Sequence, residues 1–354
     1  MTKKTVLWWG RSDINYSRNR IVRQLFIELG WKVLDFKPKM SALADIEAIF
    51  SNSLSEIDLV WVPCFRQRDL AAAKRWSKRR KIPLVFDPLI SAYDKQVYER
   101  NKFSKTSKKG KRLLKWEQSL FQKADYLIAD TEQHALFFNQ VLGADIDKLS
   151  VIPVGAEEEL FSPHKKKSPG GAFQVLFYGS YIGLQGPEVI AKAIKLYQGP
   201  AVDWNFVGSG PLRAEVELSL SDMDNVHFTD WVPYEALPDK ISQADLCLGV
   251  FGATEKTRRV IANKVYQALA CGRPVLSCES EAYPAELRES LHSGMFFVPA
   301  NDPHALAVKL AELASNPLSL VEKGQEASKS YQKYFSNKIV KEKLEFVLRQ
   351  IGLH

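Results

Sequence analysis

The chain has 354 residues, of which 45% are hydrophobic and 11% aromatic, and its formal net charge is +8. A single core stops growing beyond roughly 250 residues, so this length predicts two domains. Apolar runs such as LVWV and LCLGVF are far shorter than the roughly 18 residues that cross a bilayer. The apolar segment in the opening MTKKTVLWWG is too short for a secretory signal peptide. We therefore expect a cytoplasmic protein whose charge favours an anionic partner.

Short apolar strands alternate with helical patterns throughout the chain. In the first half the predicted strands are Thr5–Gly10, Lys32–Phe36, Asp58–Val62, Pro83–Asp87, Asp125–Asp130 and Leu149–Val154. In the second half they are Gln174–Gly179, Asp203–Gly208, Asn225–Thr229, Asp245–Phe251, Pro274–Cys278 and Gly294–Pro299. This alternation predicts parallel strands joined by crossover helices. The expected fold class is α/β, with two Rossmann-like doubly wound domains.

A stretch rich in proline, glycine, serine and lysine, FSPHKKKSPGGAFQ at 161–174, interrupts the alternation and predicts a linker. We expect an N-terminal domain over residues 1–165, a C-terminal domain over 166–335, and a final helix over 336–354 that packs back on the first domain. Ligands of such domains bind beyond the carboxyl ends of the strands. Chemistry is therefore expected in the loops that follow the strands.

Neither the cysteines nor the acidic pairs predict a metal site. The cysteines are Cys64, Cys247, Cys271 and Cys278, and their spacing matches no paired metal-ligand pattern. We interpret them as reduced structural thiols. Two D-x-D strings, at 145–147 and 222–224, precede strands instead of following them. We interpret both as turn caps and expect no bound metal.

A strongly basic segment, Arg100–Lys115, holds eight basic residues and no acidic one. Trp116, Leu120 and Phe121 follow it at a spacing that predicts a helical face shared with Leu113. Such a segment suits an anionic membrane surface or the phosphate of a lipid-linked acceptor, and a solvated loop is the alternative. No zinc-finger, RNP or helix-turn-helix pattern accompanies the charge, so we expect no nucleic-acid partner.

Four strings in the second half occur in a recognisable order: FYGSYIGLQGPEVIAKAI, FVGSGPLRAEVE, NVHFTDWVPYEALPDKISQADLCLGVFG and NKVYQALACGRPV. Together with SVIPVGAEEELFSP at 150–163, they resemble the nucleotide-sugar-binding half of the retaining family 4 glycosyltransferases. The resemblance implies the GT-B fold, in which two Rossmann-like doubly wound domains face each other across a cleft. The resemblance is strong over residues 174–313. The N-terminal half is similar mainly in architecture.

The resemblance implies transfer of a sugar from a UDP-sugar or GDP-sugar to a hydroxyl acceptor, with the anomeric configuration retained. It implies no cofactor and no metal. The first domain would bind the acceptor and the second the donor. With the basic segment, it favours an acceptor that is lipid-linked, a peripheral contact with the inner face of the cell membrane, and a role in polysaccharide or glycolipid assembly.

The cations in RRVIANKVYQALACGRPV are the main catalytic candidates. Arg258, Arg259, Asn263 and Lys264 fall where a helix running to Cys271 is predicted to begin. A helix N-terminus offers unpaired N–H groups and a positive dipole end to an anion. The cations would neutralise the diphosphate as the sugar–oxygen bond breaks, with Lys264 the first candidate and Arg259 the second. The alternative is that they are solvated residues of a first helical turn.

This segment departs from the family pattern E-x7-E. In the family the first glutamate contacts the sugar and the second contacts the ribose hydroxyls. Arg259 and Gln267 stand at those positions here. The Gln267 amide can still hydrogen-bond a ribose hydroxyl, without the strength of a carboxylate.

The loops after the strands supply further donor-binding candidates. Gly179 precedes Ser180, and Ser180 and Gln185 occupy places where many relatives have a basic pair. Gly208 and Gly210 follow another strand and would shape the nucleoside pocket.

Trp231 and Val232 follow the next strand and would stack on or wall the base, or lie at the edge of the core. Gly10, in the first domain, resembles the glycine of the family's first loop. Members of the family often have a histidine after the fourth strand, whereas this sequence has Asp87 there and no histidine. Asp87 could orient or deprotonate the acceptor, or it could cap a turn. His134 could line the cleft.

Two other functions remain open at the level of sequence. A GT-B-fold sugar epimerase would bind the same donor and need no acceptor. A catalytically silent nucleotide-sugar-binding partner of another transferase would account for Arg259, Gln267 and the missing histidine.

Overall fold

The computed structural model describes residues 3–51, 54, 56–163 and 171–353. Contacts divide the chain into two compact units: the first unit comprises the chain up to Val154 together with the chain from Asn337 onward, and the second unit comprises Gly155–Ser336.

The sequence analysis placed the domain boundary at residue 165. The two units divide earlier in the chain, between Val154 and Gly155. The backbone N–H of Ala156 donates a hydrogen bond to Tyr331 Oη at 3.2 Å. The ring of Phe161 packs edge-on against Tyr234, with 5.4 Å between centroids. These contacts tie residues 155–163 to the second unit. Part of the predicted linker, residues 164–170, lies outside the described residues.

The first unit is a sheet of six parallel strands with helices packed on it. Its strands are β1 Thr5–Trp9, β2 Lys32–Phe36, β3 Leu59–Val62, β4 Leu84–Phe86, β5 Tyr126–Ala129 and β6 Leu149–Val151, in the order β2-β1-β3-β4-β5-β6. Its helices are α1 Ser17–Glu28, α2 Ala44–Ile49, α3 Leu70–Arg80, α4 Lys108–Phe121 and α5 Glu132–Gln140, and a π-helical stretch spans Asp94–Glu99. Short 3-10 turns lie at Ser41–Leu43, Gln67–Asp69 and Ile146–Lys148.

Both faces of this sheet are buried. In β1, Leu7 and Trp9 enter one hydrophobic cluster, whereas Val6 and Trp8 enter the cluster on the other face. Successive side chains of a strand point to opposite faces, so a strand covered on both sides has no polar alternation. This is why the strands could be found from the sequence as continuous apolar runs.

The last helix of the chain, α13 Asn337–Gln350, belongs to the first unit. Its buried residues Val340, Leu344 and Val347 lie in the same cluster as Val22 and Phe26 of α1. The heptad-like spacing of these apolar residues gives the helix one apolar stripe, and burial of that stripe joins the end of the chain to its beginning.

The second unit repeats the arrangement with a different sequence. Its strands are β7 Phe173–Tyr178, β8 Val202–Val207, β9 Val226–Thr229, β10 Leu246–Leu248, β11 Val275–Cys278 and β12 Met295–Val298, in the order β12-β11-β10-β7-β8-β9. Its helices are α6 Pro187–Leu196, α7 Arg213–Ser219, α8 Leu237–Gln243, α9 Asn263–Ala270, α10 Ala285–Glu289, α11 Pro303–Ala314 and α12 Ser319–Tyr334. Short 3-10 turns lie at Tyr234–Ala236 and Glu255–Arg258.

All twelve predicted strands are present, within a few residues of their expected ends. In both units the strand order changes direction beside the first strand, as in doubly wound folds. The loops that follow β7, β8 and β10 therefore meet at one edge of the second sheet.

Only half of the basic segment is helical, since residues 108–115 form the start of α4. Leu120 and Phe121 are core residues of the first unit, and Leu113 packs against that core. Trp116 alone of the four apolar residues is exposed. The predicted apolar face is therefore used for folding.

The four cysteines are buried and free. Among the described residues, no helix combines the length with the apolar composition that crossing a membrane requires.

Candidate functional site

Two backbone loops lock together at the carboxyl edge of the second sheet. Gly208, after β8, has φ +123°, and a methyl group on it would lie 2.2 Å from the carbonyl oxygen of Gly179, after β7. Gly210 is equally constrained, since a methyl group there would lie 2.6 Å from the backbone nitrogen of Tyr181. Only glycine permits this approach. The predicted glycines therefore build the edge at which a ligand of this fold binds.

Lys264, in the first turn of α9, projects its side chain toward this edge. It is only 5% exposed, and its Nζ lies 3.9 Å from the centroid of the Phe177 ring. Among the described residues, no atom accepts a hydrogen bond from Nζ. Burial without a counter-ion holds the pKa of Lys264 well below its usual value. Such an amine is available to pair with an anion that enters the site.

The space beside the Lys264 amine is bordered by two further polar features. A methyl group added at Gly179 would lie 3.9 Å from Lys264 Nζ and 4.0 Å from Oε1 of Gln185. The Gln185 Oε1 atom is buried and has no hydrogen-bond partner in the described part of the chain. A phosphate or sugar hydroxyl that enters here meets an amine and an amide. Gln185 was noted in the sequence only as a replacement for a basic residue.

No side chain caps the start of α9. Its N-cap is Ala262, which has no side chain able to cap the first turn. The half-buried Asn263 is its first residue. The N–H groups of an uncapped first turn carry the positive end of the helix dipole. Lys264 and the helix start therefore act on the same space.

The two arginines are not in this first turn, contrary to the prediction. Arg258 ends a separate 3-10 turn, Glu255–Arg258, and is exposed. The guanidinium of Arg259 lies 3.9 Å from a carboxylate oxygen of Glu255. The buried pair Val260 and Ile261 separates them from the helix. Lys264 is thus the one predicted cation that lies in α9.

A chain of hydrogen bonds holds Gln267, which is 5% exposed one turn after Lys264. Tyr234 Oη donates to Glu157 Oε2 at 2.7 Å, and Gln267 Nε2 donates to Tyr234 Oη at 3.1 Å. An ionised carboxylate can only accept, so the tyrosine proton points to Glu157 and the tyrosine oxygen accepts from Gln267. The amide nitrogen of Gln267 therefore faces Tyr234, and its carbonyl oxygen faces away. Sequence analysis missed Tyr234 and Glu157, although both lie within the strings that carry the resemblance.

The remaining predicted residues of the second unit lie at or near the same edge. Ser180 is exposed directly after Gly179. Trp231 is 55% exposed after β9, and Val232 is half-buried next to it. An exposed indole is available to stack on a ring.

Asp87, at the end of β4 in the first unit, is engaged in a buried ion pair. Its Oδ2 accepts from Arg18 Nε at 2.8 Å, and both side chains are almost fully buried. Arg18 also donates to the carbonyl oxygens of Ile152 and Pro153. Burial raises the pKa of Asp87, and the neighbouring guanidinium opposes that rise. A carboxylate held this way supports the fold and is poorly placed to accept an acceptor's proton.

His134 is also fully buried and lies between two acids. Its Nδ1 lies 2.5 Å from Asp130 Oδ1, and its Nε2 lies 3.6 Å from Asp94 Oδ2. Burial alone would lower the pKa of His134, but the two carboxylates raise it to about 9. By contacting both Asp94 and Asp130, the His134 side chain connects the π-helical stretch that begins at Asp94 to the start of α5. Thr131 caps that helix by accepting a hydrogen bond from the N–H of His134.

Gly10 directly follows β1 and has φ +123°, and a methyl group on it would contact the ion pair of Arg66 and Asp69. The first D-x-D string forms a turn in which Asp145 accepts from the N–H of Asp147 at 3.2 Å. In the described ranges, no group of three histidine, cysteine or acidic side chains is arranged to hold a metal ion.

A concave region of about 990 Å³ lies at the opposite edge of the second sheet. It is bordered by Phe173 at the start of β7, by Arg273 before β11 and by Leu320 of α12. Its walls are mainly apolar, and it lies at the amino ends of the strands. Ligands of this fold bind at the carboxyl ends, so the candidate site is the edge that holds Lys264.

The two six-stranded parallel sheets with their helices define a GT-B fold. The structure is similar to HepE of Anabaena in complex with UDP and glucose, with a TM-score of 0.72 and 15% identity over 98% of this chain and 100% of that one. It is also similar to sucrose-phosphate synthase from Thermosynechococcus elongatus, with a TM-score of 0.76 and 18% identity over 99% of each chain. The predicted fold class is confirmed.

Sequence comparisons point to glycosyltransferases. Residues 172–316 match the family model described as glycosyl transferases group 1. The chain is 27% identical to O-antigen chain mannosyltransferase C of Escherichia coli, over 64% of this chain and 62% of that protein. It is 27% identical to D-inositol 3-phosphate glycosyltransferase of Thermomonospora curvata, over 57% of this chain and 51% of that protein. The chain thus spans between half and two thirds of these relatives. The matched segment includes Lys264, Gln185, Tyr234 and Gln267.

Proposed function

We propose that this chain is a GT-B glycosyltransferase that moves a sugar from a nucleoside diphosphate sugar to a hydroxyl acceptor, with retention of the anomeric configuration and without a bound metal. The observation that carries the proposal is the buried amine of Lys264, which has no hydrogen-bond partner among the described residues and lies inside the segment that matches the glycosyltransferase family. A buried amine of this kind is costly for folding, which a diphosphate would offset on binding.

The chemistry follows from the position of charge. The bond between the anomeric carbon and the β-phosphate oxygen breaks, and a bond to the acceptor oxygen forms. Negative charge grows on the departing diphosphate, where protonated Lys264 and the first N–H groups of α9 stabilise it. Because Asp87 is engaged by Arg18, we assign the acceptor's proton to the departing phosphate oxygen. Catalysis then consists mainly of alignment and charge stabilisation.

For the donor and the acceptor we propose a chemical class and no single compound. UDP-sugars and GDP-sugars both remain candidates, and the complex of HepE with UDP and glucose favours testing UDP first. Relatives named for O-antigen chain and colanic acid biosynthesis support a role in polysaccharide assembly. A lipid-linked acceptor would suit such a role.

The test is sugar release from UDP-glucose and GDP-mannose, with octyl glucoside as the acceptor and water as the competing one. We expect the wild type to form a product whose anomeric configuration, read by proton NMR, equals that of the donor. Lys264→Met should abolish the product, whereas Lys192→Met, at an exposed lysine of α6, should not. Inversion would exclude retention. Nucleotide binding without any cleavage would contradict the transferase and favour a silent binding partner.

A further inference from the structure

A band of apolar side chains lies on the surface of the first unit, in the segment 40–50. The exposed residues of this segment are all apolar: Met40, Ala42, Leu43, Ile46, Ile49 and Phe50. The five larger side chains are 49% to 81% exposed. We call these six residues the apolar band. A contiguous apolar surface of this kind on a folded protein marks a site of interaction.

The band arises from the way α2 packs. Ala44, Asp45 and Ala48 form the buried side of the helix, against α3. At helical spacing, Ile46 and Phe50 then point away from the core. The short 3-10 turn before α2 continues the exposed surface back toward Met40. The core is complete without these side chains, so folding does not explain their apolar character.

Cations surround the band. Arg75 of α3 donates to the carbonyl oxygen of Ala42 at 2.7 Å and to the Asp45 carboxylate, which Arg79 also reaches at 3.2 Å. The side chains of the two arginines remain 45% and 57% exposed. Two guanidinium groups against one buried carboxylate leave a positive charge beside the band. Lys39 directly precedes Met40, Lys78 directly precedes Arg79, and both lysines are exposed. Glu47 of α2, whose carboxylate accepts a hydrogen bond from the N–H of Lys39, offsets one of these charges.

We propose that the apolar band inserts into the surface of an anionic lipid bilayer, with the cations beside it on the headgroups. Exposed phenylalanine, isoleucine and leucine beside lysine and arginine are the composition of interfacial helices that lie in a membrane surface. Each cation near an anionic leaflet adds to the attraction, and the apolar side chains supply the burial. This surface lies on the first unit and does not depend on the donor site at Lys264.

The proposal relocates the membrane contact that the sequence suggested. In the segment Arg100–Lys115, the lysines are exposed but the neighbouring Leu120 and Phe121 are buried in the core. That segment can attract headgroups but offers little apolar surface for insertion. The apolar band has cations beside it that attract headgroups, and it also offers apolar surface for insertion.

The test is sedimentation of the full chain with vesicles of phosphatidylcholine alone and of phosphatidylcholine with phosphatidylglycerol. We expect binding only to the anionic vesicles, and a loss of at least about tenfold in the double variant Ile46→Ser/Phe50→Ser. The matched apolar control is Leu218→Ser/Leu291→Ser, two side chains of the second unit that are 77% and 85% exposed. It should bind as the wild type does.

Charge is tested separately. Lys39→Gln/Lys78→Gln should weaken binding more than Lys108→Gln/Lys111→Gln, which removes the same charge from α4. An unchanged thermal unfolding midpoint in the band variants would show that the fold of the first unit is intact. Equal vesicle binding by wild type and Ile46→Ser/Phe50→Ser would overturn the proposal. So would absence of vesicle binding together with self-association that the same variant abolishes, since a second copy would then cover the band.

Discussion

Tyr234 fixes the orientation of the Gln267 amide, because its Oη accepts the hydrogen bond from Nε2 at 3.1 Å while its own proton is committed to Glu157. The carbonyl oxygen of Gln267 is left to face away from the tyrosine, as an acceptor. A glutamate at this position would offer acceptors on both sides. Gln267 therefore keeps the acceptor and avoids a second carboxylate around the same hydroxyl.

This arrangement predicts the result of a charge exchange. Gln267→Glu alone places two carboxylates around one tyrosine proton and should lower the free energy of unfolding by about 1–2 kcal/mol. Adding Glu157→Gln restores one donor and one acceptor, so the double variant should recover most of that loss. Urea denaturation of the four proteins in the cycle measures the coupling. Strict additivity of the two changes would show that the chain of hydrogen bonds does not operate.

Lys264→Met should stabilise the unliganded protein. The substitution removes a buried amine without a hydrogen-bond partner in the described chain and keeps an apolar stem of similar length against Phe177. We expect a gain of about 1–3 kcal/mol in the free energy of unfolding. Because the pKa of Lys264 is depressed on folding, its cost should be greatest at low pH and diminish as pH rises toward 10.5. Lys192→Met is the control, and a loss of stability in Lys264→Met would contradict the assignment.

Asp87→Asn should damage the fold of the first unit. The change leaves the Arg18 guanidinium buried without its counter-ion and should cost about 3–5 kcal/mol. Asp35→Asn, which breaks the more exposed pair with Arg23, should cost about 0.5 kcal/mol and serves as the control. Thermal unfolding compares the two. If Asp87→Asn keeps full stability and loses only turnover, Asp87 is a catalytic base after all.

His134 should make the stability of the first unit depend on pH. Its pKa is raised on folding from 6.5 to about 9, so its contribution is fully present below pH 6.5 and is lost as pH rises through 9. The difference is on the order of 3 kcal/mol. Urea denaturation of His134→Gln should show a lower stability at pH 6 and a flatter profile. His227→Gln, at an exposed histidine of β9, is the control substitution. A wild-type profile without that decline would contradict the raised pKa.

The strands, both sheets and the glycine loops were predictable because they depend on local pattern. Buried parallel strands are apolar along their whole length, and Gly208 must be glycine where two loops touch. The position of Arg258 was not predictable, because a short 3-10 turn and a helix start have the same composition. The contacts of Asp87 with Arg18 and of Gln267 with Tyr234 join residues 69 and 33 positions apart, and no local pattern announces them.

The apolar residues near the basic segment show another limit of prediction from sequence. Leu113, Leu120 and Phe121 have the spacing of a helical face, and the sequence cannot say whether that face meets the core or a partner. The structure assigns it to the core. The exposed band at 40–50 is too short to show a helical period and became visible only from the exposure of its side chains.

The central measurement is calorimetric titration of UDP and GDP into the wild type, Lys264→Met and Lys192→Met, in two buffers with different heats of ionisation. We predict that one nucleotide binds selectively, that Lys264→Met weakens it at least about tenfold, and that Lys192→Met does not. Binding should draw a proton onto Lys264 and weaken as pH rises, since the diphosphate favours the charged amine. Equal affinity in wild type and Lys264→Met would contradict a diphosphate site at the start of α9.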